Sequence, residues 1–157
     1  MKETWQQALG KIANGVYILT TCHKKEINGM IITWVTQISH DPPLIMVAIH
    51  PNRYSHQLVE QTGCFALNIL AQHQPELIKR FMGPVPSAKF KSLQWTRGST
   101  GCPILTSSIA GIECEVKGSQ SPGNHTLFFG QIKEVQVFSN DEPMSTFDYS
   151  GTYLGKD

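Results

Sequence analysis

No two of the four cysteines stand close together: Cys22, Cys64, Cys102 and Cys114 are scattered along the chain. That spacing excludes the C-x-x-C pairs of zinc knuckles and dithiol redox centres, and it leaves the chain without an iron-sulfur module of its own. Three of them lie in or beside apolar runs, so buried, reduced thiols packing as small hydrophobes are expected. The six histidines also lack ligand spacing, since His50 and His56 flank a turn rather than sharing a helix face, and no metal site is expected. Charge is scarce. Charged residues make up 16% of the chain and the formal net charge is +1, which leaves no basic face for nucleic-acid phosphates and no acidic tail. Nucleic acid is therefore not an expected partner. No window approaches the length of about 20 apolar residues that spans a bilayer. Lys2 and Glu3 open an ordinary amphipathic segment rather than a signal peptide. A soluble, cytoplasmic protein without membrane contact is the expectation. No G-x-G-x-x-G follows a strand, which excludes a Rossmann half, and there is no internal repeat.

What is present reads as one unit, because 157 residues bury one substantial core and not two. Residues 1–157 are expected to form a single domain. Trp5, Leu9 and Ile12 recur at helical spacing and predict a short first helix, stopped by Asn14 and Gly15. The period then changes to two. Residues 16–21 form a β-rich run, Lys24, Lys25 and Glu26 a polar turn, and residues 30–38 a return strand rich in β-branched and aromatic side chains. Pro42 and Pro43 cannot donate to a ladder and end that pairing; the apolar run 44–49 then predicts a central strand covered on both faces. Ser55 is placed to cap a helix carrying Leu58 and Val59 and closed at Thr62 and Gly63, after which residues 65–70 return to the sheet. A second helix is predicted over 74–81, with Leu77, Ile78 and Phe81 as its stripe. Residues 85–103 form a long Pro-, Ser-, Gly- and Thr-rich connection with one short strand near 93–96, and loops of that length in a compact domain are usually functional. Strands at 109–116 and 126–138 complete the pattern. Helices inserted among strands, rather than alternating with them, favour an antiparallel β-barrel, and closure would remove its exposed edges.

The stretch 28–56 carries the most information. A β segment, a Pro-Pro break, a second apolar strand and a Pro-Asn-Arg-Tyr-Ser-His turn follow one another. That order builds a sheet edge facing a pocket and sets an anion site at the foot of a helix. A flat, polar-edged ligand with a phosphate suits such a place. Arg53 and Ser55 bring a guanidinium fork and a hydroxyl to the amides of the helix start, the bland alternative being a plain cap beside a solvated arginine.

Several blocks stand in a fixed order: N-G-M-I-I-T-W at 28–34, D-P-P-L-I-M-V at 41–47, P-N-R-Y-S-H at 51–56 and G-C-F-A-L-N-I-L at 63–70. K-F at 89–90, G-C-P-I-L at 101–105 and G-N-H-T-L-F-F-G at 123–130 follow. Each alone is weak. Together, over residues 15–130, they resemble the flavin reductase-like family, flavin mononucleotide (FMN)-binding split β-barrels that include NAD(P)H:flavin oxidoreductases and flavoredoxins. The resemblance implies a mainly β, antiparallel split barrel with inserted helices. It also implies an FMN-dependent oxidoreductase that passes a hydride from NAD(P)H to bound flavin and on to free flavin, an acceptor protein or oxygen. An FMN-holding electron carrier that does not use NAD(P)H, or a non-catalytic flavin-binding module, stays open as the alternative.

The same resemblance assigns residues. The flavin ring would lie against the strand holding Asn28, Thr33, Trp34, Val35, Thr36 and Gln37. Asn28 offers an amide and a carbonyl to a ring edge, and Thr33 and Thr36 offer hydroxyls. Trp34 either packs on the ring or is simply a barrel residue. The phosphate would lie by Asn52, Arg53 and Ser55, with Arg80 and the Lys89-Phe90 pair closing over the pocket. Lys89 would pair with the phosphate or offset charge on the reduced ring. His125, behind a Gly-Asn turn, is the catalytic candidate, positioning the nicotinamide or managing a proton, because the two rings themselves carry the hydride chemistry. In the tail, Tyr153 would touch the ring, while Tyr149 could be packing only. NAD(P)H would bind transiently over the flavin. Relatives of this kind pair through their sheets, and with Trp34, Phe128 and Phe129 on short strands a homodimer is expected.

Overall fold

A computed structural model describes residues 2–148. After a first helix α1 (Glu3–Leu9) come the strands β1 (Tyr17–His23), β2 (Glu26–Ile32), β3 (Val35–Ser39) and β4 (Leu44–Ile49), then helix α2 (Tyr54–Thr62) and strand β5 (Cys64–Ile69). Helices α3 (Pro75–Met82) and α4 (Pro86–Phe90) precede the short strands β6 (Trp95–Arg97) and β7 (Pro103–Leu105) and the long hairpin β8 (Ala110–Gln120) and β9 (Thr126–Val137). The main sheet runs β2-β1-β5-β8-β9-β4-β3, every neighbour pair antiparallel, and β6 and β7 pair separately.

This is the split barrel, and its ring of hydrogen bonds is not closed: β2 and β3 are the two edges. The expected return strand over 30–38 is broken at Thr33 and Trp34, so that β2 pairs with β1 and β3 leaves to pair with β4. Register shifts in the β8–β9 hairpin at Glu113/Cys114 and Val116/Gly118 curve the sheet that these edges belong to. β4 is next to an edge rather than central, and only Ile45, Val47 and Ile49 reach the barrel core, while Leu44 and Met46 are half-buried.

Two apolar layers explain the composition. Leu19, Ile32, Val47, Ile49, Phe65 and Phe128 fill the barrel, while Ile18, Ile31, Leu77, Ile78, Phe81 and Phe90 fill the space between the sheet and α3 and α4. Alternate residues of β1 and β2 point into different layers, so both faces of these strands are covered, and each large side chain so buried contributes roughly 1.5–3 kcal/mol. Gly29 permits the close approach of the helices: a Cβ there would stand 2.6 Å from the Phe81 ring. α4 lies within the expected connection 85–103; its five residues begin with Pro86, which is preset for a first helical turn, but they are too few to show a period. α1 ends at Leu9, ahead of Asn14 and Gly15, and none of its residues is buried. Among the described residues no helix is long and apolar enough to cross a membrane.

Candidate functional site

Asn28 stands opposite Thr21 in the β1–β2 ladder and is buried. Its Nδ2 donates to Ser55 Oγ at 3.0 Å, and its Oδ1 accepts from Lys89 Nζ at 3.1 Å. Lys89 Nζ donates again to the Gly29 carbonyl at 2.7 Å. One side chain from a strand therefore joins the first turn of α2 to the end of α4. Ser55 is fully buried and is not the cap expected of it: Arg53 occupies the cap position of α2, without a side-chain cap bond. Ser55 lies one residue inside the helix, and its hydroxyl accepts from Asn28 of the neighbouring β2 instead.

Burial, and secondarily the Arg53 guanidinium, hold the Lys89 amine below its usual 10.5. Both hydrogen-bond acceptors of Lys89, an amide oxygen and a carbonyl, are neutral. Two cations thus approach one another at the start of a nine-residue helix, whose terminal amides add further positive potential.

A second group follows from register. Ile49 pairs with Thr126, so the next rung sets His50 beside His125, and their rings meet edge-on at 5.1 Å. Val35 pairs with Val47, so Trp34 falls beside Ala48, whose N–H donates to the Trp34 carbonyl at 3.1 Å. Alternation then places Trp34, His50 and His125 on one face of the sheet. The Trp34 and His125 rings lie 4.7 Å apart, and Trp34 stays 51% exposed, leaving much of the indole open to a partner. The Asn52 N–H donates to His50 Nδ1 at 3.2 Å, and His125 Nδ1 lies 2.8 Å from Asn124 Oδ1.

The remaining candidates are spread more widely. Thr33 is buried at the β2–β3 corner, where its carbonyl accepts the Val35 N–H at 3.1 Å. Val35, Thr36 and Gln37 line, with Tyr17 and Ile132, an apolar cavity of about 270 Å³ in the split beside β3. Thr36 and Gln37 are otherwise turned to their own strand, bonding the Gln37 and Ser39 carbonyls. Phe90 is a core residue, edge-on to Phe81 and to Trp95, and so anchors the helix that carries Lys89. Arg80 Nη1 donates to the Lys91 carbonyl at 2.8 Å. Tyr149 and Tyr153 lie outside the described residues. His50 and His56 were missed as members of the site because neither spacing nor period marks them; only strand register brings His50 to His125. Cys22, Cys64 and Cys102, distant in sequence, gather in one small apolar cluster as free thiols. Among the described residues no three His, Cys, Asp or Glu side chains gather as metal ligands.

Residues 9–155 match the family described as flavin reductase like domain. The chain is 30% identical over 151 residues to the reductase subunit HsaB of a flavin-dependent monooxygenase from Rhodococcus jostii, covering 96% of this chain and 76% of that protein. It is 31% identical to an NADH-dependent flavin reductase from Rhodococcus sp, covering 97% and 88% of the two chains. Among solved structures, a homologue of nitrilotriacetate monooxygenase component B from Mycobacterium thermoresistibile superposes with a TM-score of 0.84 at 29% identity, over 90% of this chain and 80% of the other.

Proposed function

The chain belongs to the flavin reductase-like domain family, a family of oxidoreductases, and from that premise we propose that it binds FMN and reduces it with NADH or NADPH. The observation that carries the reading is the Lys89–Asn28–Ser55 bridge beside Arg53. The Lys89 amine and the Arg53 guanidinium lie near one another at a helix start, and a dianionic phosphate ester would complement both. Lys89 has three donors, of which Asn28 and Gly29 take two, and the third is available to a phosphate oxygen. Arg53 and the amides of α2 complete the cradle.

From that end a flavin would extend along the Thr33–Trp34 corner and β3. When bound, the flavin supplies the hydride acceptor. This chain's residues bind and orient. Trp34 offers an open ring face, Thr33 and Val35 offer backbone at the corner, and His125 flanks Trp34 where a nicotinamide would approach. The names of the Rhodococcus relatives, a monooxygenase reductase subunit and an NADH-dependent flavin reductase, support NADH as donor and an oxygenase, or released reduced flavin, as the onward route.

A homodimer belongs to the same reading. Val135, Val137 and Phe138 at the end of β9, with Trp5 and Leu9 of α1, leave large apolar side chains exposed that a second copy would cover. The proposed localisation is cytoplasmic, where reduced nicotinamide is made.

The deciding experiment is the visible spectrum of the purified protein with FMN, followed by its bleaching under argon with NADH and with NADPH. A yellow complex bleached by either nucleotide is expected. A protein that takes up FMN but is reduced by neither would be an electron carrier instead, and one that takes up no flavin would end the proposal.

A further inference from the structure

His125 is held from behind. It projects from the sheet face it shares with Trp34, so Thr126, the next residue, points to the opposite face, where it is buried. There Thr126 Oγ1 lies 2.8 Å from Nε2 of His56, a buried side chain on α2. The other imidazole nitrogen, Nδ1, lies 3.6 Å from Glu60 Oε2, one helical turn on. A carboxylate only accepts, so it favours the proton on Nδ1 and leaves Nε2 to accept the Thr126 O–H. Thr126 Oγ1 is also 3.3 Å from Ser121 Oγ, across the turn that carries Asn124 and His125. The imidazole packs edge-on against Phe128 at 5.2 Å, which fixes its plane within the barrel. Thr126 is the first residue of β9 and the register partner of Ile49, so it stands one rung from the place where His50 meets His125.

We propose that His56 and Thr126 form a positioning pair for His125, tying the turn before β9 to α2, whose cap is Arg53 and whose first turn carries Ser55. A strand end that enters from a polar turn frays unless something fastens it, and this bond fastens it on the core side, opposite His125. The pair links the phosphate end of the site to the nicotinamide end through one helix. It rests on the reading of His125 as the residue that meets the nicotinamide.

Thr126→Val removes the hydroxyl with little change of shape, and Thr126→Ser keeps it. With FMN-loaded protein, anaerobic stopped-flow reduction by NADH is expected to slow roughly five- to twentyfold in Thr126→Val and to recover in Thr126→Ser. The FMN dissociation constant should stay within about twofold, and in a His125→Ala background Thr126→Val should cause no further loss. His56→Gln, whose amide oxygen can accept the same hydroxyl, is expected to keep the rate, and His56→Phe to lose it, which covers the case of a Thr126→Val protein that does not fold. Wild-type rates in both Thr126→Val and His56→Phe, or losses that simply multiply with that of His125→Ala, would overturn the pair while leaving His125 in place. A His125→Ala protein reduced as fast as wild type would overturn the reading of His125, and this proposal with it.

Discussion

Lys89 reaches from α4 to β2 and sets its amine 3.1 Å from the Asn28 amide oxygen. A lysine so enclosed titrates early. Burial first, and Arg53 second, lower its pKa from 10.5. Below the folded value the charged amine is a constant cost to the unliganded protein. Between that value and 10.5 the unfolded chain binds the proton that the folded one has released, so stability rises with pH across this alkaline window. Phosphate favours the charged amine, so FMN affinity should fall over the same window, by up to about tenfold per pH unit. Calorimetric titration from neutral to alkaline pH checks this, and a Lys89→Met protein should lose the Lys89-dependent part of the slope.

Arg53→Ala should separate phosphate from ring. A charge-assisted contact contributes roughly 1.5–3 kcal/mol, so FMN should bind about 10- to 100-fold more weakly, while riboflavin, which lacks the phosphate, should change little. Equal losses for the two ligands, measured by quenching of flavin fluorescence, would put the phosphate elsewhere.

Gly29→Ala tests the packing that delivers Lys89. The added methyl would stand 2.6 Å from the Phe81 ring, and the Gly29 carbonyl is itself a Lys89 acceptor. Overpacking of this kind costs roughly 1–3 kcal/mol. Denaturant unfolding should show that loss, and FMN affinity should fall with it because α3 and α4 must shift away from β2.

Glu113 serves stability rather than chemistry. It is 1% exposed, and its carboxylate accepts from the backbone and hydroxyl groups of both Ser99 and Thr100, fastening the β6–β7 connection to β8. Glu113→Gln replaces one acceptor by a donor facing other donors. A loss of about 1–3 kcal/mol in unfolding free energy is expected, with the FMN dissociation constant and the rate of NADH-driven bleaching unchanged at a temperature where the variant is folded.

The strands of this protein were legible because apolar alternation is a local signal. Residues 16–21, 44–49, 65–70, 109–116 and 126–138 each announce a strand, and the stripe Leu77, Ile78 and Phe81 announces α3. The family was legible too, through ordered short blocks. The break at Thr33 and Trp34 was not, because β-branched residues continue through it; only the different partners of β2 and β3, β1 and β4, require the chain to turn there. The β1–β2 turn, by contrast, was legible as the polar run at Lys24 and Lys25, and it is a tight two-residue link with Lys24 at φ 56°.

Residue types suited to a phosphate and a flat ring could be read from the sequence at Asn28, Arg53, Ser55 and Lys89. Their arrangement could not. Whether Ser55 caps its own helix or accepts a hydrogen bond from Asn28 depends on how α2 packs against β2, and whether Lys89 lies in a loop or a helix depends on Phe90 finding Phe81 and Trp95. His50 and His125 are far apart in the sequence and meet only because β4 pairs with β9 in one register; a slip of one residue would turn every side chain of the strand to the other face. Sequence alone determined which segments could become strands and what chemistry they carried, since propensity and hydrophobic period act over a few residues. Tertiary structure alone decided which side chains share a site, since strand order and register act between segments that share no local signal.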